Sequence, residues 1–345
     1  MGITQQEALE WLGSDDLLGL GMAAQGVRNR KTDARVATYQ IDRNINYTNF
    51  CTEYCSFCAF YRPMGSNEGY IRSIEEMSAK IEEMLALGGT GILLQGGLHA
   101  DLKIEWYEEM LRALATRYPQ VHLHCFSAPE IINIAELSGL PLRDTIARLR
   151  DAGLASIPGG GAEILDDEVR RRISRLKCTA DEWEQVHRTA HALGLRTTAT
   201  MMFGCGEELR HRVNHLERVR RLQEETGGFT AFIPWIFAPE NTSLGKRVGE
   251  ATAVDYLKTL AVSRLYLDNI DHIQTSWLTP GIKVCQVGLQ FGADDVGSIL
   301  IEENVVYAAG VRNRTNEAEL RRIICDAGYI PAQRDTLYRS YVLKN

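Results

Sequence analysis

The sequence predicts a (β/α)8 barrel of the TIM type, preceded by a helical N-terminal extension. Three observations predict this fold: a helical lead, about eight strand-then-helix units in series after it, and glycine and polar motifs that follow strands rather than helices. We place the lead in residues 1–35 and the barrel in residues 36–345. An open doubly wound sheet is the alternative fold, but no GxGxxG motif follows the first predicted strand.

The individual elements are predicted from the spacing of apolar residues and from turn signals. The lead carries Leu and Met at helical spacing and opens with Thr4 and Glu7, a capping-box pattern. Short apolar runs predict strands at 36–41, 90–97, 121–126, 154–161, 196–204, 229–235, 272–277 and 295–300. Amphipathic spacing and terminal glycines predict helices at 71–89, 104–118, 142–153, 180–194, 209–228, 254–270, 281–292 and 316–328, with an extra segment at 162–173.

Composition limits the classes of function. The 345 residues include no apolar run long enough for a membrane span, and the first residues lack the layout of a signal peptide, so we expect a soluble, cytoplasmic protein. A net charge of −7 argues against a nucleic-acid surface. The basic residues at 148–177 are interleaved with acids, and we expect them on solvent-exposed helix faces. Eight cysteines, scattered apart from one triplet, indicate a reduced compartment rather than a disulfide framework.

The triplet lies after the first predicted strand, in FCTEYCSFCAFYR, where Cys51, Cys55 and Cys58 have C-x3-C-x2-C spacing. A structural zinc site is closed by four ligands, and no second pair stands at a suitable distance. Iron–sulfur clusters that only carry electrons also favour four cysteines. Three cysteines leave one metal position open for a small molecule, which is a catalytic arrangement. A simple electron carrier or a structural metal module remains the alternative.

This spacing, with Phe57 directly before the last cysteine and a glycine pair after the second strand, resembles the radical S-adenosylmethionine superfamily. The resemblance implies a [4Fe–4S] cluster on the three cysteines and S-adenosylmethionine on the open iron. The reduced cluster cleaves S-adenosylmethionine to a 5′-deoxyadenosyl radical. The resemblance also implies that Gln95, Gly96 and Gly97 receive the methionine amino group and that Phe57 lies near the adenine.

A closer resemblance covers nearly the whole chain. The segments that carry it are DRNINYTN, CAFYR, LQGGLH, SIPGGGAEIL, RRRIS, TATMMFG, ETGGFTAFIPW, IEENVV and AQRDTLYR. They are similar to the cyclic dehypoxanthinyl futalosine synthase family of the futalosine route to menaquinone. The resemblance implies that the radical takes the ribose 4′ hydrogen of dehypoxanthine futalosine and that the sugar radical adds to the benzoate ring. Aminofutalosine synthase, a sister enzyme, is the alternative within the superfamily.

One position departs from this family. After MMFG the family usually shows a histidine, where this chain has Cys205, and of that short motif only Glu207 is kept. We predict Glu163 and Glu207 as catalytic carboxylates, with helix capping as the alternative for each, and Glu163 also as a ligand of S-adenosylmethionine. His99 could receive the aryl proton, since imidazole titrates near neutrality; the alternative is an exposed loop histidine.

Further residues complete the predicted site. Gly159, Gly160 and Gly161 let the backbone approach the adenosine, unless they only form a tight turn. Ser127 is predicted to bind the cofactor or, with Glu130, the substrate. Candidates for the arene are Trp235 and Trp277, and candidates for the benzoate carboxylate are Arg43, Arg62 and Lys283. Glu302 and Glu303 have no predicted role. By resemblance we also expect a flavodoxin or ferredoxin as electron donor. The lead helix covers either the bottom of the barrel or the surface of a homodimer, and both alternatives stay open.

Overall fold

The computed structural model describes residues 2–344. The helices are α1 (Gln5–Gly13), α2 (Leu17–Lys31), α3 (Ile74–Ala86), α4 (Ile104–Arg117), α5 (Ala128–Ser138), α6 (Leu142–Ala152), α7 (Asp167–Ile173), α8 (Ala180–Ala192), α9 (Leu209–Thr226), α10 (Ala253–Tyr266), α11 (Ile282–Gly288), α12 (Val305–Ala308) and α13 (Glu317–Asp326). The strands are β1 (Val36–Gln40), β2 (Asp42–Asn46), β3 (Gly91–Gln95), β4 (His122–Cys125), β5 (Ser156–Ile157), β6 (Arg196–Phe203), β7 (Phe229–Ile236), β8 (His272–Ile273), β9 (Asp295–Ser298), β10 (Ile330–Arg334) and β11 (Tyr341–Leu343).

Seven strands form one parallel sheet in chain order, from β2 to β8. Each crossover contains at least one helix, as parallel neighbours require. Short apolar strands such as GILLQ in β3 are buried on both faces in such a sheet. Their carboxyl ends therefore meet at one end of the barrel, where the loops after strands converge.

Strand β9 connects the two edges of this sheet. Gln274, directly after β8, forms a parallel bridge to Asp295 of β9, and β9 pairs in parallel with β1. Only Ile41 separates β1 from β2, the other edge of the seven-stranded sheet. The ring of strands is thereby completed, and the predicted (β/α)8 barrel is confirmed.

The first predicted strand was wrong in its extent. The sequence placed one strand at 36–41, whereas the chain forms β1 and then β2, and the cysteine loop follows β2. The polar residues of Asp42–Asn46 hide this strand, because Asp42 and Asn44 line the barrel cavity instead of joining the apolar core. Helices α5 and α12 and strands β10 and β11 were also missed; α5 begins with Pro129 in its first turn, after a loop-like SAPE sequence.

The N-terminal lead is helical, as predicted. The Thr4 hydroxyl accepts from the Glu7 backbone N–H and the Glu7 carboxylate accepts from the Thr4 N–H, which confirms the capping box. Helix α1 packs on α9 and α10, and α2 packs on α10. Buried Arg28 of α2 donates to the carbonyl oxygens of Ala34 and Val36 and so holds the lead against β1.

The segment after β10 covers the N-terminal end of the barrel. Tyr338 stacks on His272, the first residue of β8, at 4.1 Å between ring centroids. Arg334 forms a bidentate ion pair with Asp295 at 2.5 and 3.1 Å. The cavity inside the barrel is therefore closed at this end by paired polar groups. Within residues 2–344, no helix has both the length and the apolar character that crossing a membrane requires.

Candidate active site

Three cysteines lie in the loop at the carboxyl end of β2. Cys51 and Cys55 are buried, Cys58 is half-buried, and all three are free. The Cys51 N–H donates to the carbonyl of Arg62 at 3.0 Å, which ties the beginning of the loop to its end. Burial raises the pKa of the Cys51 and Cys55 thiols, so a bound metal is what would draw off their protons.

A glycine pair after β3 lets that loop pack against the cysteines. A Cβ atom at Gly97 would lie 2.2 Å from the Phe50 carbonyl oxygen and 2.8 Å from the Cys51 Cβ. A Cβ atom at Gly96 would lie 2.6 Å from the Tyr47 ring. Only glycine fits these positions. Three thiol ligands on one loop, without a fourth, fit a [4Fe–4S] cluster that keeps one iron open.

Glu163, at the end of the glycine turn after β5, forms an ion pair that the sequence did not predict. Its Oε1 lies 3.0 Å from Lys177 Nζ, while its buried Oε2 has no hydrogen-bond partner and lies 3.8 Å from Arg170. The backbone of Glu163 is left-handed, with φ of 40°, which is strained for a non-glycine residue and typical of functional sites.

Lys177 lies between this carboxylate and the cysteine loop. Its ammonium group is 5.4 Å from the centre of the Phe57 ring. Although burial alone would lower the pKa of Lys177, Glu163 and Cys55 raise it above its ordinary value. The expectation that the basic residues of this segment face solvent is wrong for Arg170 and Lys177, whose side chains are 3% and 13% exposed. It is confirmed for Arg171, Arg172 and Arg175, which are exposed.

A cavity of about 330 Å³ occupies the inside of the barrel. At the cysteine end it is lined by Gln95, Gly160, Gly161 and Glu163, all of which were predicted from the sequence. Trp235 and Trp277, the candidates for the arene, also line it. Arg43, Arg62 and Lys283 are not in its lining as residues 2–344 define it, and buried Arg43 instead pairs with Glu83 and Glu302.

Asp42, the first residue of β2, is a cavity carboxyl that sequence reasoning missed. The Ser298 hydroxyl donates to its Oδ1, and no ion pair joins Asp42 to a basic side chain of the described chain, residues 2–344. Burial raises the pKa of Asp42 to about 6, although the Ser298 hydrogen bond lowers it. This carboxyl can therefore exchange a proton near neutral pH.

Two of the predicted catalytic residues do not line this cavity. Glu207 accepts from the backbone N–H groups of Gly204 and Cys205 and from Arg212 Nε, each at 2.8 Å. His99 is buried rather than exposed, and its Nδ1 accepts from the Asp101 N–H at 3.1 Å. Burial lowers the pKa of His99. The catalytic roles predicted for Glu207 and His99 stay predictions, and neither side chain joins Glu163 in lining the cavity.

Ser127 and Glu130 bind each other. Glu130 accepts from Ser127 Oγ at 2.6 Å, from Tyr47 Oη at 2.7 Å and from the Gly96 N–H at 2.9 Å. Burial raises the pKa of Glu130 to about 7 against these hydrogen bonds. Through its hydrogen bond from the Gly96 N–H, the Glu130 carboxyl therefore holds the glycine pair in place.

The glycine turn after β5 packs directly on β6. A Cβ atom at Gly159 would lie 2.6 Å from the Ala199 Cα, so a larger residue would push the turn away from the sheet. Gly161 has φ of 82°, in the left-handed region that favours glycine. The turn thus presents Gly160 and Gly161 to the cavity with their backbone accessible.

A parallel barrel with three free cysteines at its carboxyl end defines a class of protein, the enzymes that activate a small molecule at an open position of an iron–sulfur cluster. Residues 45–219 match the model of the radical SAM superfamily, and residues 226–344 match that of the CofH/MqnC C-terminal region. The chain belongs to the radical S-adenosylmethionine superfamily, whose enzymes use a [4Fe–4S] cluster and S-adenosylmethionine.

Curated relatives span nearly the whole chain. The cyclic dehypoxanthine futalosine synthase of Halalkalibacterium halodurans is 45% identical over 97% of this chain and 90% of its own. The enzyme of that name from Streptomyces coelicolor is 43% identical over 99% and 86%. The aminodeoxyfutalosine synthase of Thermus thermophilus is 40% identical over 97% and 91%. Methylornithine synthase, whose crystal structure superposes with a TM-score of 0.72 at 19% identity over 96% and 95%, shares the fold.

Proposed function

We propose that the protein is a cyclase that converts dehypoxanthine futalosine to cyclic dehypoxanthine futalosine, a step of menaquinone biosynthesis. The observation that carries this proposal is the identity of 45% and 43% to two synthases of that name, over almost the full chain. The coarser role, a radical S-adenosylmethionine enzyme of the futalosine route, is common to these relatives and to the aminodeoxyfutalosine synthase.

The cysteine end of the barrel would hold the cofactors. Cys51, Cys55 and Cys58 would ligate the cluster, and the unpaired Oε2 of Glu163 would accept from S-adenosylmethionine. When bound, the cluster and S-adenosylmethionine supply a 5′-deoxyadenosyl radical that removes a hydrogen atom from the substrate. Lys177 holds Oε1 of the Glu163 carboxylate, so that Oε2 is the oxygen left for a hydrogen bond from the ligand.

The cavity would hold the substrate beneath the cofactors. Its volume of about 330 Å³ lies in the range of small-molecule pockets. Trp235 and Trp277 supply aromatic surface for the benzoate ring. The paired groups around Arg334 close the far end, so a substrate would enter the cavity from the cysteine end. Such confinement favours addition of a sugar radical to a ring held beside it.

Loss of a proton and an electron from the ring would complete the cyclisation, with the electron returning to the oxidised iron–sulfur cluster. Asp42 is the carboxyl that the geometry favours for accepting the proton. It lines the cavity, has no paired cation, and has a pKa raised to about 6 by burial. Glu303, another cavity carboxyl, already accepts three hydrogen bonds. We therefore prefer Asp42 to the sequence candidates His99 and Glu207 for this role.

The electron donor would be a small flavodoxin or ferredoxin, as the sequence predicted. Cys58 is the most accessible of the three cysteines, which is the side on which an electron could enter. The cytoplasmic location stays a prediction, and the choice between a monomer and a homodimer stays open.

The experiment that tests the proposal uses the anaerobically reconstituted and reduced enzyme with dehypoxanthine futalosine and S-adenosylmethionine labelled in the adenosyl carbon. Mass spectrometry should show 5′-deoxyadenosine and a product two hydrogens lighter than the substrate, without label. Aminofutalosine synthase, the second candidate, would place the adenosyl carbon in the product from its own substrate. A parallel reaction therefore supplies the enol-ether substrate of that enzyme. Labelled product there, with no cyclised product from dehypoxanthine futalosine, would overturn the proposal in favour of the sister activity.

A further inference from the structure

Asn44 of β2 carries a buried acceptor atom that has no hydrogen bond within residues 2–344. Its side chain lines the cavity and is 4% exposed. Its Nδ2 donates to Glu303 Oε2 at 2.7 Å, whereas its buried Oδ1 has no hydrogen-bond partner. Buried carbonyl oxygens almost always accept a hydrogen bond, so we expect a bound molecule to supply the donor for Asn44 Oδ1.

Glu303 fixes the direction in which this oxygen points. The Glu303 Oε1 accepts from the backbone N–H groups of Val305 at 2.7 Å and Val306 at 2.9 Å, which leaves Oε2 for Asn44. An ionised carboxylate only accepts hydrogen bonds, so the amide must turn its NH2 group towards Glu303. The amide oxygen is then left on the side of Asn44 away from Glu303, without a donor in residues 2–344.

The loop that carries Glu303 is itself held in place. The neighbouring carboxylate, Glu302, accepts from Arg43 at 2.7 Å, from Asn304 at 2.8 Å and from Lys80. These contacts join the loop after β9 to β2 and α3. The Glu303 carboxylate therefore offers Asn44 a fixed partner rather than a mobile one.

In Asn46, the other inward-facing asparagine of β2, both ends of the side-chain amide form hydrogen bonds. Asn46 donates to the Gln95 carbonyl at 3.3 Å and accepts from Asn304 at 3.2 Å. In the register of β2 and β3, Asn46 pairs with Gln95 and Asn44 with Leu93. Asn44 thus lies two residues, about 7 Å, deeper than the cofactor end of the cavity.

We propose that the Asn44 side-chain oxygen accepts a hydrogen bond from a ribose hydroxyl of the substrate, and that Glu303 is the positioning residue that orients the amide. The inference rests on the proposed function, because a pentose ring in the cavity supplies the donor. A ribose held one layer below the cofactor end would have its reacting carbon close to the adenosyl group.

The test measures the binding of substrate analogues that lack the 2′- or the 3′-hydroxyl. Calorimetry on cluster-loaded, unreduced enzyme gives the dissociation constant of dehypoxanthine futalosine and of each analogue for wild type, Asn44→Ala and Glu303→Gln. In Glu303→Gln the new amide can donate to Asn44, so the asparagine oxygen can turn away from the cavity with little change in volume. Leu93→Ala is the matched control, because it enlarges the cavity beside Asn44 without removing an acceptor.

The analogue that lacks the hydroxyl bound by Asn44 should bind wild type and Leu93→Ala about tenfold more weakly than the substrate does. The same analogue and the substrate should bind Asn44→Ala and Glu303→Gln with nearly equal affinity. A hydroxyl effect that persists undiminished in Asn44→Ala would overturn the inference. Wild type that binds neither the substrate nor the analogues would overturn the proposed function, and the inference with it.

Discussion

Two glycine-containing loops at the carboxyl end of the barrel each carry a buried glutamate, yet the two carboxylates have opposite surroundings. Glu163, after β5, keeps one oxygen without a hydrogen bond at the cavity wall. Glu207, after β6, has both oxygens occupied by two backbone N–H groups and Arg212. Although burial opposes it, Arg212 lowers the pKa of Glu207.

The difference shows that a position after a barrel strand does not by itself give a carboxylate a role in the reaction. Arg212 also pairs with Asp255 of α10, so Glu207 belongs to a network that joins its loop to the outer helices. Glu163 lies between Lys177 and Arg170, accepts a hydrogen bond only on Oε1 within residues 2–344, and lines the cavity. We therefore expect Glu207 to stabilise the fold and Glu163 to bind a ligand.

Asp42 also lines the cavity, and within residues 2–344 no ion pair joins it to a basic side chain. Its replacement should have the largest effect on the reaction rate. Asp42→Asn should lower kcat about 10³-fold, or about 4 kcal/mol, because a general base is lost. In wild type, kcat should rise with pH as Asp42 ionises, with a midpoint near its pKa of about 6. The charged groups that act on Asp42 are Arg334, which lowers this pKa, and Asp295, which raises it.

The measurement is the rate of product formation from pH 5 to 8, with 5′-deoxyadenosine followed alongside. In Asp42→Asn the pH dependence near 6 should disappear while 5′-deoxyadenosine still forms. Full activity of this variant would rule out Asp42 as the proton acceptor.

Glu207→Gln probes the structural loop. It breaks a buried ion pair and should lower the free energy of unfolding by about 3 kcal/mol, measured by denaturant titration. The folded fraction should keep its affinity for S-adenosylmethionine. Glu208→Gln is the control, because this neighbouring side chain is 66% exposed and its loss should leave stability nearly unchanged. Unchanged stability of Glu207→Gln, together with lost activity, would assign Glu207 to the reaction after all.

Glu163→Gln probes the ligand-facing loop. Removing the charge should weaken S-adenosylmethionine binding about 30-fold, or about 2 kcal/mol, since a charge-assisted hydrogen bond is lost. Equilibrium dialysis with the cluster-loaded enzyme gives this affinity. Stability should fall less than in Glu207→Gln, because Glu163 makes fewer hydrogen bonds. Wild-type affinity in this variant would remove the contrast between the two loops.

Thr200→Val should have the smallest effect. The Thr200 hydroxyl donates to the Gly159 carbonyl at 2.8 Å and so ties the glycine turn to β6, the strand that leads to the Glu207 loop. Its loss should weaken S-adenosylmethionine binding by about 1 kcal/mol. Thr230→Val, which removes a hydroxyl bonded to Thr197 elsewhere on the sheet, should lower stability without altering that affinity. Equal effects of the two variants on affinity would contradict this role of Thr200.

The sequence predicted the features that depend on local pattern. Cysteine spacing gave the cluster loop, amphipathic spacing gave most helices, and the glycine turn at 159–161 was placed at the cavity. It did not predict Asp42, Asn44 or Lys177. Their environment depends on partners across the barrel: Asn44 meets Glu303, which is 259 positions away in the chain. The polar residues of β2 gave no sign in the sequence that this strand is buried inside the barrel.

The most direct test of the proposed cyclase uses dehypoxanthine futalosine carrying deuterium at the ribose 4′ carbon. The reduced enzyme with unlabelled S-adenosylmethionine should release 5′-deoxyadenosine that contains one deuterium per molecule, together with a product that has lost it. Unlabelled 5′-deoxyadenosine, formed while the product keeps its deuterium, would contradict hydrogen removal at that carbon and with it the cyclase assignment.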